Sequence, residues 1–398
     1  MKVTKIGYIG ASVHRYIDVL AEENVDEFKL IFFDNEVKNA KMLQFVVDKY
    51  FPELSSKLSM SEIPWIKFLN YVSSEVAKTP SINDIIKFLP TAFLHFILNH
   101  AIETDILWIG DNDFDTSFLF ANLLNYFGIR YIFTLKETRY KDYPFELSVL
   151  KHAKRIYLPH EKYVDFFQEK YGIDVSSKTS FGDIDWRSKL VKDRIVSKLN
   201  VAKLSQTDGK AHVVILSGRA IWKKSEVRSE GRYYYLGIIK RLLEAGFVVH
   251  LHTKAIIESL DNPIVHKENP YTELQEKYKN KFFIEDPLDL NDPLNYSVLM
   301  RYDYGLVHSG EIPFDETIRK FEEINVPNRF FEYWVANVIP ICPKGVLDWM
   351  EKSMKNHVIF FEEPDIYEIE RKKSITKPFD NYFHNLIRSI TEEYLYQI

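Results

Sequence analysis

"NVPNRFFEYWVANVIPI", residues 325–341, sets an Arg and a Glu inside a run that otherwise has the character of protein core. Pro327 suits the first turn of a helix, so "NRFFEYWVAN" reads as one short helix. Arg329 and Glu332 are three apart and share a face near its start. Phe330, Phe331 and Trp334 are then free to turn toward a sheet. Asn337 falls where a left-handed helix cap is expected, a conformation Asn tolerates, and "VIPI" re-enters the sheet as a strand. An acid in a helix's first turn is favoured by the helix dipole. A carboxylate there also accepts both hydroxyls of a ribose, as the acid of dinucleotide-binding folds does. A helix leading into a short buried strand is one half of a βαβ unit, and the question is whether the unit repeats.

It repeats in both directions. Upstream, "AHVVILSG", "FVVHLHT", "KFFIED" and "YGLVHSG" read as strands, and "RYYYLGIIKRLLEAG" and "NYSVLMRY" as helices between them. Nearer the start, "VTKIGYIG", "FKLIFFD", "TDILWIGD", "IRYIFTL" and "KRIYLP" alternate with "SVHRYIDVLAEEN", "TSFLFANLLNYFG" and "EKYVDFFQEKYG". Residues 38–100 read as a helical section broken near Pro52, Pro64 and Pro80. Short apolar runs separated by helices indicate parallel sheets. Between residues 178 and 209 the pattern turns polar and loses its strands, with "LSQTDGK" as the linker. The expectation is two doubly wound α/β domains, over 1–200 and 210–379. Ligands in such sheets lie beyond the carboxyl ends of the strands. That rule singles out Gly10, Asp111, Lys136, Arg219, Thr253 and Ser309.

Composition agrees. A chain of 398 residues, 46% of them hydrophobic, exceeds what one core usually serves. A net charge of −5 gives no basic field for nucleic acid. Cys342 is the one cysteine, so neither an intrachain disulfide nor a cysteine zinc site forms, and a cytoplasmic setting fits. The N-terminal stretch reads as a strand and turn rather than a signal peptide. The most apolar run, residues 85–98, is too short to span a bilayer and contains Lys87, Pro90 and His95. A buried or surface-lying helix is the reading there, which leaves peripheral membrane contact open, as self-association is.

Familiar motifs are missing. There is no GxxxxGK[ST] loop, no GxGxxG in the first turn and no GxSxG elbow. "GDNDFD", residues 110–115, groups three carboxylates after a strand. That pattern holds Mg²⁺ in some proteins, but Asp-rich turns and helix caps are its commoner use. His250 and His252 share one face of a strand with no third ligand nearby. Charge gathers instead in "SGRAIWKKSEVRSEGRYYY", where Arg219, Lys223, Lys224, Arg228 and Arg232 run from a strand end to a helix start. Strand-end geometry, a helix N-terminus and cations together favour a phosphate. Ion pairs with Glu226 and Glu230 on a solvated loop are the plainer account.

"PNRFFEYWVANVIPI" resembles the segment "pNKLFEYLAxGxPVI" of glycosyltransferases with the GT-B fold, above all the retaining group 4. Arg329 stands for the Lys and Asn337 for the Gly. Four further stretches are similar in the same order: residues 103–137, residues 150–174, "VVILSGRAIWKK" and "RYDYGLVHSGE". The resemblance implies two Rossmann-like domains facing across a cleft, with the acceptor on the first and a nucleotide-sugar on the second. It implies a final helix, residues 380–398, crossing back onto the first domain. It implies that Arg219 and Lys224 bind the donor diphosphate, with Lys223, Arg228 or Arg232 as alternatives, and that Glu332 holds the ribose. Asn328, Arg329, Thr253, Ser309 and Gly310 fall in the same donor region, with helix N-termini at Ser309–Gly310 and near Gly10 adding backbone donors. An inverting enzyme would also need a general base near the first-domain loops, for which His14 and Asp111 are the candidates. The family's upstream Glu falls on Ile324 and its strand-end His on Lys136, with Glu323 and Glu311 as substitutes at other spacings. No metal or cofactor is implied, the nucleotide-sugar being a substrate. The acceptor is a glycan, a protein or a lipid-linked group. A non-catalytic partner subunit of the same fold and a sugar-nucleotide epimerase are the competing readings.

Overall fold

The structure, a computed structural model, describes residues 4–9, 16–23, 25–34, 36–64, 103–110, 114–135, 138, 144–181, 187–223, 231–312 and 315–377. They fall into two compact units, one ending at Val191 and one beginning at Lys192.

In the first unit, β1 (Thr4–Ile9), β2 (Val25–Phe33), β3 (Leu58–Ile63), β4 (Ile106–Gly110), β5 (Ile132–Thr134), β6 (Arg155–Leu158) and β7 (Thr179–Phe181) form one sheet. Its order is β3-β2-β1-β4-β5-β6-β7, and every pairing is parallel. Buried on both faces, the central strands carry near-continuous apolar runs such as "ILWIG", all five residues of which are buried. Tyr8, Tyr16, Phe28 and Trp108 pack ring on ring beneath them. Glu146, fully buried at the start of the Pro144–His152 helix, is satisfied by Lys170 Nζ at 2.6 Å, Thr138 Oγ1 at 2.5 Å and the Tyr171 hydroxyl. Removing one partner of a buried ion pair such as this is strongly destabilising.

Two readings need correcting here. Among the described residues of the stretch after residue 38, which end at 64, the α-helix covers Val37–Tyr50, and a 3-10 turn, Pro52–Lys57, leads into β3. The polar region after residue 178 does contain a strand, β7. The apolar run at 85–98 and the final helix at 380–398 lie outside the described residues. Among the described residues, no helix is long and apolar enough to cross a membrane.

The second unit repeats the design. β8 (His212–Ser217), β10 (Val248–Thr253), β12 (Phe282–Glu285), β13 (Tyr304–Leu306), β14 (Ile339–Pro343) and β15 (Ile359–Phe361) form a parallel sheet ordered β12-β10-β8-β13-β14-β15. The short strands β9 (Ala220–Ile221) and β11 (Ile256–Ile257) pair with each other. In both sheets the chain winds outward from one strand, then returns to its other side. The switch points lie between β1 and β4 and between β8 and β13, where such folds bind ligands. The segment read as a linker is tied to this unit: Leu204 N–H donates to Arg301 O at 2.8 Å and Ser205 Oγ to Asp303 Oδ1 at 2.7 Å.

The helix read from the opening stretch is present as Asn328–Val335, with Pro327 at its N-cap. Asn337 takes φ 53°, the left-handed conformation expected of it. Glu332 is the fifth helical residue, so it sits in the second turn rather than the first, because Pro327 stands outside the helix. Lys192 closes the other end: its ammonium meets Trp334 O and Asn337 Oδ1, a cation where the dipole favours one. On the inner face Tyr333 lies against Gly305 of β13; a Cβ at Gly305 would come within 2.5 Å of the ring. The Tyr333 hydroxyl accepts from Leu216 N–H at 3.2 Å and donates to Leu306 O at 3.1 Å, pinning the helix to β8 and β13 at once. We expect Gly305→Ala to destabilise the unit by about 1–3 kcal/mol through overpacking. A thermal unfolding curve unchanged from that of the native protein would refute this account of the helix position.

Candidate active site

At the carboxyl end of the second sheet, a directed chain of hydrogen bonds joins the opening helix to the end of β8. Arg329 Nη1 donates to the Tyr235 hydroxyl at 2.8 Å. Arginine has no acceptor, so that hydroxyl turns its own proton to Ser217 Oγ at 3.1 Å. Ser217 in turn donates to Arg219 O at 2.6 Å. The position of Arg329 and the backbone of Arg219 are thus set together, although 110 residues separate them (329 − 219).

Arg219 is exposed, and its guanidinium stands 5.3 Å from the centre of the Tyr233 ring. Arg232 approaches the same ring at 4.9 Å. Among the described residues no carboxylate pairs with Arg219, so its charge is available at the switch point. Lys223, by contrast, is held by Glu258 Oε1 at 3.0 Å. Lys224 and Arg228 lie outside the described residues, as do Gly10, His14, Asp111 and Lys136.

Across the switch point, the turn after β13 packs against the segment at Gly231. Ser309 Oγ donates to Gly231 O at 2.8 Å, and a Cβ at Gly231 would meet Glu311 O at 2.8 Å. Gly310 takes φ 86°, with Pro343 beneath it, so a side chain there would be strained. Its N–H donates to His308 Nδ1 at 3.0 Å, which fixes the His308 proton on Nε2. Burial, together with the Arg329 and Arg232 charges, pushes the His308 pKa down to about 3. The ring is therefore a neutral hydrogen-bond donor at physiological pH. Thr253, at the end of β10, spends its hydroxyl on Ala255 O at 3.1 Å.

Glu332 accepts a hydrogen bond from the Tyr296 hydroxyl, and Tyr296 is 1% exposed. The Asn328 side-chain oxygen is buried without a hydrogen-bond partner. Ile324, where the upstream acid falls by spacing, is buried and apolar. Two residues before it, on the Glu316–Ile324 helix, Glu322 is 4% exposed and neither of its carboxylate oxygens has a hydrogen-bond partner among the described residues. Burial pushes its pKa up to about 8, against the pull of Arg232. Glu323 instead faces Arg319 Nε at 3.5 Å.

Sequence reasoning passed over Tyr233, Tyr235, His308 and Glu322. The tyrosines read as the start of a helix, and nothing local singles out Glu322. Only His308, one residue from Ser309, was within reach of the strand-end rule.

No protein-family model matches the chain, and no curated protein matches it in sequence. Solved structures do. HepE from Anabaena, solved in complex with UDP, is similar with a TM-score of 0.53 at 9% identity, over 99% of this chain and 100% of that one. A glycosyltransferase from Rickettsia africae gives 0.50 at 12% identity, over 100% and 93%. Sucrose-phosphate synthase from Thermosynechococcus elongatus gives 0.52 at 10% identity, over 99% and 98%. At such identities the likeness is one of fold: two Rossmann-like parallel α/β units, of seven and six strands, as in the GT-B fold.

Proposed function

We propose that the chain is a glycosyltransferase that moves a sugar from a nucleotide-diphospho-sugar to an acceptor, of the retaining group 4 kind and without a metal. The observation that carries this is Arg219, an exposed guanidinium with no carboxylate partner among the described residues, braced by Tyr233 at the switch point of the second sheet. As the glycosyl bond breaks, negative charge grows on the departing diphosphate. Arg219 and Lys224 neutralise it, and the His308 Nε2–H and the turn at Ser309–Gly310 add donors. Glu332 accepts the ribose hydroxyls in place of the Tyr296 hydroxyl. Glu322 supplies a carboxyl beside the position that Ile324 leaves apolar. The acceptor belongs to the first unit, near Gly10, His14 and Asp111, and the setting is cytoplasmic.

The test is a thermal-shift panel of UDP-, GDP-, ADP- and CMP-sugars, followed by assay of nucleoside diphosphate release. HepE has also been solved with UDP-glucose, which puts uridine donors first. A donor at a hundred times its dissociation constant raises stability by about 2.7 kcal/mol. Glu332→Ala should weaken that donor about tenfold, the worth of a charge-assisted hydrogen bond, with the fold intact. Calorimetry showing equal affinity in the two proteins would remove Glu332 from the site. A panel in which no sugar nucleotide shifts the transition would reject the proposal. Binding without release of a nucleoside diphosphate would favour the non-catalytic subunit, for which the apolar Ile324 speaks. Turnover to an epimeric sugar nucleotide would favour the epimerase.

A further inference from the structure

Across the second sheet runs a row of titratable groups that sugar transfer does not use, with two buried imidazoles at its centre and a partly exposed carboxylate at each end. Asp208 Oδ1 faces His212 Nε2 at 3.2 Å, His212 Nδ1 faces His250 Nε2 at 3.0 Å, and His250 Nδ1 faces Glu285 Oε1 at 3.3 Å. The row crosses from the Ser205–Asp208 helix over β8 and β10 to β12. Both imidazoles are buried, and Phe283 stacks on the His250 ring at 4.9 Å.

Each of the three contacts needs one proton between its atoms. Two neutral imidazoles supply two. If His250 donates to Glu285 and accepts from His212, the bare Nε2 of His212 is left against a carboxylate oxygen. If the polarity is reversed, the bare Nδ1 of His250 is left against Glu285. A third proton satisfies the whole row, with a carboxylate at each end to balance it. We infer that His212 and His250 form a one-proton site, in which His212 is an imidazolium donating to Asp208 and His250, and His250 is a neutral ring donating to Glu285.

The surroundings agree with that assignment. Burial pushes the His250 pKa down to about 3, the other histidines and Arg301 adding to the effect, so the extra proton belongs on His212. Asp208, bonded by the Lys210 N–H and by His212, is held below the usual carboxylate range and ionised. Asp303 accepts the backbone N–H of His212 at 2.9 Å and adds a second carboxylate there. His252 is satisfied separately, donating to Asp286 O at 2.7 Å and accepting from the Tyr302 hydroxyl at 2.9 Å, so it serves as an internal reference.

The proton has two consequences. It fastens the Ser205–Asp208 helix, through its last residue, to β8. It also sets the linkage to folding. A histidine whose folded pKa is depressed contributes stability that is present above its unfolded value and is lost as pH falls. In the unfolded chain both rings take up protons in acid; in the fold, His250 stays neutral. This pair therefore lowers the folding constant tenfold per pH unit, where two neutral rings would lower it a hundredfold.

The experiment is a two-bond proton–nitrogen spectrum of the full chain labelled with ¹⁵N-histidine, taken over about pH 5 to 8, the range in which imidazole charge ordinarily changes. Expected is one ring with both nitrogens protonated on the acid side, its neighbour remaining an Nδ1–H tautomer throughout. Asp208→Asn should remove the charge from His212 at pH 6 and speed amide exchange at residues 208 and 209, whose N–H groups bond Leu204 O and Ser205 O, about tenfold. Two neutral rings across the range, two charged rings at pH 5, or a charged His212 in the Asp208→Asn protein would each overturn the inference. Should that variant fail to fold, the native spectrum alone decides between one shared proton and none.

Discussion

Replacing Arg219 with Ala is expected to lower kcat for donor cleavage by about 10²–10³, the usual cost of removing one preorganised partner of a developing anion. Its folding transition should move by less than about 0.5 kcal/mol, since the side chain is exposed and its only described contact is the Tyr233 ring. The two expectations together separate a role in chemistry from one in packing. Diphosphate charge is greater in the transition state than in the bound donor, so the loss should fall on kcat more than on KM. Lys223→Ala is the matched comparison. It removes a cation from the same loop, but one already paired with Glu258. If Lys223→Ala proves the more damaging, the diphosphate does not sit at the end of β8.

Why Arg219 is legible in sequence and its setting is not follows from what each signal depends on. "HVVIL" and "VVHLH" announce buried parallel strands because both faces are covered, and the residue after such a strand is placed by topology alone. The strands that escaped notice in the first unit, β3 and β7, are the two edges of its sheet. "LSMSEI" and "TSF" each pair on one side only and stay largely half-buried, so neither shows an apolar run. The relay from Arg329 to Arg219 escapes for another reason. Tyr235 and Arg329 are 94 residues apart, and no local pattern tells that a tyrosine at a helix start will accept from an arginine at another. Asn337 is the opposite case: a left-handed cap is a local demand, and the residue type that tolerates it is visible in the chain.

Glu322→Gln is the change expected to stabilise the protein, increasingly as pH rises from about 4.3 to about 8. Glu322 stands in "IRKFEEI" beside a second glutamate, and the fold turns it inward, to 4% exposure with both oxygens unpartnered among the described residues. Burial raises its pKa to about 8, far above the value of about 4.3 it has in an unfolded chain. The sign follows. A group whose folded pKa is raised contributes stability that is complete below the unfolded value and is lost as pH climbs through the folded one. From about pH 4.3 the unfolded chain gives up this proton while the fold retains it, until near pH 8 the fold must hold an unpaired buried charge. Gln has nearly the same shape and never ionises. The two proteins should therefore differ by only about 1 kcal/mol at pH 5, and at pH 9 the Gln variant should be the more stable by roughly 5 kcal/mol, the pKa gap converted at about 1.4 kcal/mol per unit. A bound sugar hydroxyl or phosphate oxygen would change that balance, because a carboxylic acid proton is a donor and a carboxylate an acceptor. Saturating donor should then raise the stability of both proteins and shrink the pH 9 difference between them. Denaturant titrations at pH 5 and pH 9, with and without the nucleotide-sugar found in the panel, measure all of this. Equal stability of the two proteins at pH 9 without ligand would mean that Glu322 reaches solvent or a partner, and that the carboxyl beside Ile324 is not held in reserve for a substrate.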